Sequence, residues 1–227
     1  MVPGYVCQPE FKLDEEMRAP LQNYQPQAGD MFFSTDKWWI IRFGHKLAGA
    51  HAPHHSGIIV QKPDGQFCTL EAGPHNCLTI KLLDMGESLA GYEAAGNKVW
   101  VRRRSVPLTP EQSAKLTGFA MAQDGKRFAL FRMLGQLTPI RTRSLLWTHA
   151  VGTPNGDRDS FFCAELVMES CCAAGLLDPN RTHPCCTYPS DLFFGRSPNH
   201  YVDETFDINL FWDPPTRWTK LLPTYGK

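Results

Sequence analysis

The sequence predicts an α+β fold, in which a central antiparallel sheet packs on a helix that carries a cysteine at its N-terminus. Three observations lead there. Short apolar stretches with strand character cluster between residues 31 and 103, with helical patterns on either side of them. The tetrapeptide Lys62-Pro63-Asp64-Gly65 joins two of these stretches too tightly for a crossover helix. Two later segments carry clear helix signals, one opening at Thr109-Pro110 and one at Cys163.

Residues 1–27 are polar and contain proline, and read as an N-terminal arm with a short helix around Glu10–Arg18. Gly29-Asp30 turns the chain into Met31-Phe32-Phe33, a short apolar strand. Trp38–Leu47 is aromatic and weakly helical. Strands Ser56–Gln61 and Gln66–Ala72 flank Pro63-Asp64-Gly65, which suits a three-residue hairpin loop, with proline at the first turn position and glycine at the left-handed one. A loop then leads to a strand over Lys98–Arg103. Thr109 caps the next helix, Pro110 suits its first position and Gln112 completes a capping box; the pattern runs to Gln123 and stops at Gly125. Residues 126–158 read as a loop-rich insert with some apolar helical character. Cys163 to Ala174 is the second strong helix, ended by Gly175, and 196–227 reads as an extended tail wrapping the surface. The organisation expected is therefore one domain over 28–195, between an arm and a tail.

Composition bounds what such a chain does. Its 227 residues, 42% hydrophobic and 20% charged, are those of a globular protein with one substantial core. Zero formal net charge excludes the basic footprint of a nucleic-acid binder. No apolar run approaches the roughly 18 residues that span a bilayer, and no charged segment followed by an apolar stretch opens the chain, so the expectation is a cytoplasmic protein. The eight cysteines show no framework spacing, and the adjacent pairs Cys171-Cys172 and Cys185-Cys186 are poorly placed for internal disulfides, so reduced thiols are expected. Without a C-x-x-C or H-E-x-x-H spacing, no metal and no cofactor are expected, although His51, His54, His55, His75, His183 and the two cysteine pairs form a ligand pool that keeps zinc as a rival reading.

The chemistry-bearing residues follow from register. On the strand Ser56–Gln61, His55, Gly57 and Ile59 share a face, and the hairpin sets Gly57 opposite Glu71. His55 is then diagonal to Glu71, at roughly 7–8 Å between backbones, within reach of a long side chain. Glu71 thus orients His55, and Gly57 leaves space over the sheet. Cys163 lies where unpaired helix N–H groups and the helix dipole favour a thiolate, the reactive form of cysteine. On that helix it shares a face with Leu166, Val167, Ser170 and Ala174, whose small members allow close packing on the sheet. A thiol there beside an imidazole from the adjacent strand is a Cys-His nucleophile pair. Asp30 reads as a turn residue, Glu165 as a helix-surface or salt-bridge residue, and Arg102-Arg103-Arg104 as solvated.

Five motifs in order, Gly29-Asp30, His55-x-Gly57-Ile58, Leu70-Glu71-Ala72, Phe162-Cys163-Ala164-Glu165-Leu166-Val167 and Tyr188-Pro189-Ser190-Asp191-Leu192, resemble those of the circularly permuted papain-like hydrolases. The resemblance, over roughly 28–195, is to the YiiX-like branch, related to NlpC-type cell-wall peptidases and the lecithin:retinol acyltransferase family. It implies a permuted papain-like fold with Cys163 as nucleophile, His55 as base and Glu71 as the orienting residue. It implies a hydrolase that cleaves an amide in a peptide or amino-acid conjugate through an acyl-thioester. The chain departs from the pattern in Ala164, where serine is common, and in the long insert before the helix.

Two alternatives stand beside the amidase: a lipid ester or amide hydrolase or acyltransferase at the same site, and a non-catalytic binding module. The stretch 126–149 carries Lys126, Arg127, Arg132, Arg141 and Arg143 with no acidic residue. It suits a cleft cover, a receptor for an acyl or anionic substrate group, a membrane-surface contact, or a peripheral insertion with solvated charges.

Overall fold

A computed structural model describes residues 3–7, 21–36, 51–130, 132, 154, 158–203 and 208–220. The expected helices at Glu10–Arg18 and Trp38–Leu47, and most of the 126–158 insert, lie outside these residues. The fold is α+β. An eight-stranded sheet comprises β1 (Tyr5–Cys7), β2 (Gln22–Asn23), β3 (Met31–Ser34), β4 (His55–Gln61), β5 (Phe67–Ala72), β6 (Ile80–Asp84), β7 (Val99–Arg102) and β10 (Thr216–Thr219). Its order is β2-β1-β10-β7-β3-β4-β5-β6, with every neighbouring pair antiparallel. Two short strands, β8 (Arg127–Phe128) and β9 (Ser160–Phe161), pair in parallel beside it.

Helices cover the sheet on both faces. The run Gly57-Ile58-Ile59-Val60 in β4 is buried throughout, as a strand covered on two sides must be. Ile58 and Val60 join Phe33, Leu70 and Trp100 in one core with α2 (Pro110–Gln123) and α3 (Cys163–Ala173). Ile59 joins Phe32, Val99 and Val101 in a second core with α1 (Met85–Ala94). The hairpin has the expected loop: the Lys62 N–H donates to the Gln66 carbonyl at 2.9 Å and Gly65 adopts φ +87°. The capping box of α2 is formed reciprocally by Thr109 and Gln112.

Four readings are corrected. The segment between the hairpin and Lys98 is not simply a loop, because it holds β6 and α1. Its strand is a half-buried edge containing Lys81, and its helix is interrupted by Gly86 and Gly91, so neither stands out by pattern. The tail does not wrap the surface: β10 lies between β1 and β7 inside the sheet, with Trp218 fully buried. The segment read as an arm likewise supplies β1 and β2, and a β-carbon at Gly4 (φ +119°) would come 2.4 Å from the Trp218 indole nitrogen. Finally, Arg102 and Arg104 are buried rather than solvated. Arg102 donates to the carbonyls of Leu192, Trp212 and Asp213 and to Asn209 Oδ1, at 2.7, 3.1, 2.8 and 2.8 Å. Such a fork of donors suits a site rich in chain-end carbonyls, and here it ties the last third of the chain to β7.

Candidate active site

Register brings the first two residues together. Gly57 pairs with Glu71 across β4 and β5, which sets His55 diagonal to the carboxylate, and His55 Nε2 meets Glu71 Oε2 at 3.0 Å. Glu71 is fully buried, and three more donors converge on it. Thr69 and Ser88 hydroxyls donate to Oε1 at 2.6 and 2.5 Å, and the Tyr92 hydroxyl donates to Oε2 at 2.7 Å. A carboxyl facing four donors has acceptor roles only, so it is the carboxylate that fits. Burial opposes that charge, but the bonds from His55, Ser88 and Thr69 outweigh it and hold the Glu71 pKa below its usual value. Nε2 of His55 is thereby fixed as a donor, leaving Nδ1 for its other neighbour.

That neighbour is Cys163. Burial opposes charge on both partners, yet the thiol and the imidazole are hydrogen-bonded to each other and their opposite charges attract. The His55 pKa is raised to about 10 by its bonds to Cys163 and Glu71. The Cys163 pKa is lowered below its ordinary 9.0, with the backbone N–H groups of Ser56 and Ala164 adding to the pull of His55. Both shifts run in the direction of a thiolate–imidazolium pair.

How the three meet differs from a helix and imidazole on one face of a sheet. Helix α3 packs against the Ile58 face, whereas Glu71 is held from the opposite side by Ser88 and Tyr92 of α1. Contact is made around the end of the strand: His55 is the first residue of β4 and Cys163 the first of α3. Gly57 does not leave an open space, either. Its partner Phe32 fills it, and a β-carbon there would come 2.3 Å from the Phe32 ring. Phe32 in turn lies 5.9 Å from the His55 ring.

The flanking residues find other work. His54 is turned away from the pair, its Nδ1 accepting the Asp36 N–H at 3.3 Å. Glu165 is not on the surface; it is fully buried, accepts the Phe162 N–H at 3.1 Å and pairs with Arg132 and Arg158. Arg132 of the basic stretch and Arg158, just beyond it, are thus committed to the helix that bears Cys163, and Arg132 also stacks over Phe162 at 4.6 Å. Asp30 is more than a turn residue: it is buried and accepts from the Tyr24 hydroxyl and from the Arg104 and Gln27 N–H groups.

The sequence reading missed Thr69, Ser88 and Tyr92, the residues that hold Glu71. Their signal was present: Met85, Ser88, Leu89 and Tyr92 recur at helical spacing after Asp84, which caps α1 by accepting the Glu87 N–H at 2.9 Å. None of the eight cysteines is joined in a disulfide. Among the described residues no three His, Cys, Asp or Glu side chains cluster to hold a metal ion, and no helix is long and apolar enough to cross a membrane. A cavity of about 740 Å³ is lined by His51, Ser190, Phe194, Arg196 and Asp203 among others, but by none of the three site residues.

No family model matches the chain, and no curated protein does. Among solved structures, it is similar to the crystal structure of metalloprotein YiiX from Escherichia coli O157:H7 (DUF1105). The two share 17% sequence identity, over 88% of this chain and 100% of that one, with a TM-score of 0.49.

Proposed function

We propose that this protein is a cysteine-dependent hydrolase on a permuted papain-like arrangement, with Cys163 as nucleophile, His55 as acid and base, and Glu71 as the residue that orients His55. The observation that supports it best is the chain of contacts from Cys163 through His55 to Glu71, in which one ring nitrogen is anchored and the other meets the sulfur.

The thiolate attacks a carbonyl carbon, forming a C–S bond while the carbonyl π electrons move to oxygen. The N–H groups at the start of α3 favour the resulting oxyanion. The tetrahedral species collapses as the His55 imidazolium gives its proton to the leaving nitrogen, releasing an amine and an acyl-thioester. Water, deprotonated by the now neutral His55, then attacks the thioester; the acid leaves and the thiolate–imidazolium pair is restored. An amide is the scissile bond proposed, because an amine must be protonated to depart and the raised His55 pKa keeps a proton available.

The test is acyl-enzyme trapping. Incubation with a panel of acyl amides and activated esters, followed by acid quench and mass spectrometry, should reveal an acyl adduct on the Cys163 peptide that is absent from Cys163→Ala. Saturable ligand binding without any adduct or turnover across the panel would favour a binding module and overturn the proposal.

A further inference from the structure

We infer that His75 is a positioning residue for the catalytic pair: its ring, stacked on Tyr92, fixes the phenol, and the phenol aims Glu71 at His55. This rests on the catalytic reading of Cys163, His55 and Glu71 given above.

His75 has an unusual backbone. Its φ of +47° and ψ of +41° put a residue with a β-carbon in the left-handed region, inside the tight turn Pro74–Asn76 that follows Gly73 at φ +75°. Such a conformation is costly for a histidine and persists only where the surroundings hold it. What holds it here is Tyr92. The two rings stack at 4.2 Å with 23° between their planes. Helix α1 is cut away to admit the imidazole: a β-carbon at Gly91 would come 3.0 Å from His75 Cε1.

The stacked phenol donates its proton to Glu71 Oε2 at 2.7 Å, so the orientation of the Tyr92 ring sets the direction of that bond. On its far side Tyr92 lies 5.4 Å from the His55 ring. Three rings therefore run from the exposed His75, through the buried Tyr92, to the catalytic imidazole. Without the outer ring, Tyr92 gains freedom, the carboxylate loses a fixed donor, and its grip on His55 Nε2 loosens.

The experiment measures the alkylation rate of Cys163 by iodoacetamide on the full chain, resolved by peptide mass spectrometry, from about pH 5 to 11. Asparagine tolerates the left-handed backbone but lacks the ring, so His75→Asn should slow Cys163 about fivefold near neutrality and move the acidic rise of the profile to higher pH. Phenylalanine keeps a stacking ring, so His75→Phe should stay within about twofold of the wild type with an unmoved profile. Tyr92→Phe, which keeps the ring and deletes the hydroxyl, should shift the profile in the same direction as His75→Asn, and it decides the matter if His75→Asn does not fold. An unchanged profile in His75→Asn and Tyr92→Phe, or equal damage in His75→Asn and His75→Phe, would overturn the inference. Failure of the catalytic reading is separately visible, as a wild-type Cys163 whose rate ignores His55→Ala.

Discussion

Glu71 Oε2 takes two donors at once, the His55 ring at 3.0 Å and the Tyr92 hydroxyl at 2.7 Å, in a place fully shielded from water. The imidazole is thus held by a carboxylate that is itself held, which makes the carboxylate the most consequential single position in the site. Glu71→Gln keeps the shape but replaces one acceptor with a donor that must face the hydroxyls or the ring. We expect a loss of about 3 kcal/mol by urea unfolding, the usual cost of breaking a buried charged network, together with loss of Cys163 reactivity. An unfolding midpoint within error of the wild type would refute this.

Stability should depend on pH through the same pair. The Glu71 pKa is depressed, so its contribution is present above the ordinary carboxylate value and is lost as pH falls through the lower folded value. The His55 pKa is raised from 6.5 to about 10, so its contribution is full below 6.5 and is lost as pH rises through about 10. Thermal unfolding across pH should therefore show a loss on the alkaline side that His55→Ala removes.

Gly57 admits the Phe32 ring beside His55. Gly57→Ala would place a methyl group 2.3 Å from that ring and 2.8 Å from the Leu70 carbonyl oxygen. Overpacking of this kind costs about 1–3 kcal/mol, and displacing Phe32 should disturb the imidazole as well. Calorimetry and the Cys163 alkylation rate should both fall; a change in neither would mean that Phe32 does not constrain the site.

Cysteine chemistry gives an internal control. Burial pushes the Cys171 pKa far up and that of Cys172 up to about 12, so both should resist alkylation. Cys77 is partly exposed, and its Thr79 contacts lower its pKa, so it should react without any help from His55. In His55→Ala, labelling of Cys163 should drop at least tenfold near neutrality while labelling of Cys77 persists. Parallel loss at both sites would point to general disruption instead.

The terminal strand should be as necessary as the centre. Trp218 is fully buried in β10, between β1 and β7. Trp218→Ala should cost about 4 kcal/mol in urea unfolding, whereas an appendage would yield less than about 0.5 kcal/mol.

What the sequence disclosed follows the range of each signal. The hairpin pairing of Gly57 with Glu71 depends on a turn three residues long, and the caps of α2 and α3 are equally local, so all were legible. The positions of β1 and β10 were not, because their pairing joins segments more than two hundred residues apart and a short strand carries little pattern of its own. Arg102 misled for a related reason. A charge run normally faces water, and only the fold reveals that carbonyls from residues 192, 212 and 213 meet it there. The salt-bridge half of the Glu165 reading holds, with Arg132 and Arg158 as partners, but its burial was not legible, because charge type alone places a glutamate at the surface. At the candidate site, the meeting of His55 with Glu71 was legible from register; the hydroxyls around Glu71 were not, because Ser88 and Tyr92 belong to a helix weakened by two glycines.

The most direct measurement is a nitrogen NMR titration of the His55 ring in the wild type and in Cys163→Ala. A thiolate–imidazolium pair requires His55 to hold its proton to about pH 10 in the wild type and to release it at clearly lower pH once the sulfur is gone. Titration near the ordinary 6.5 in both proteins would contradict it.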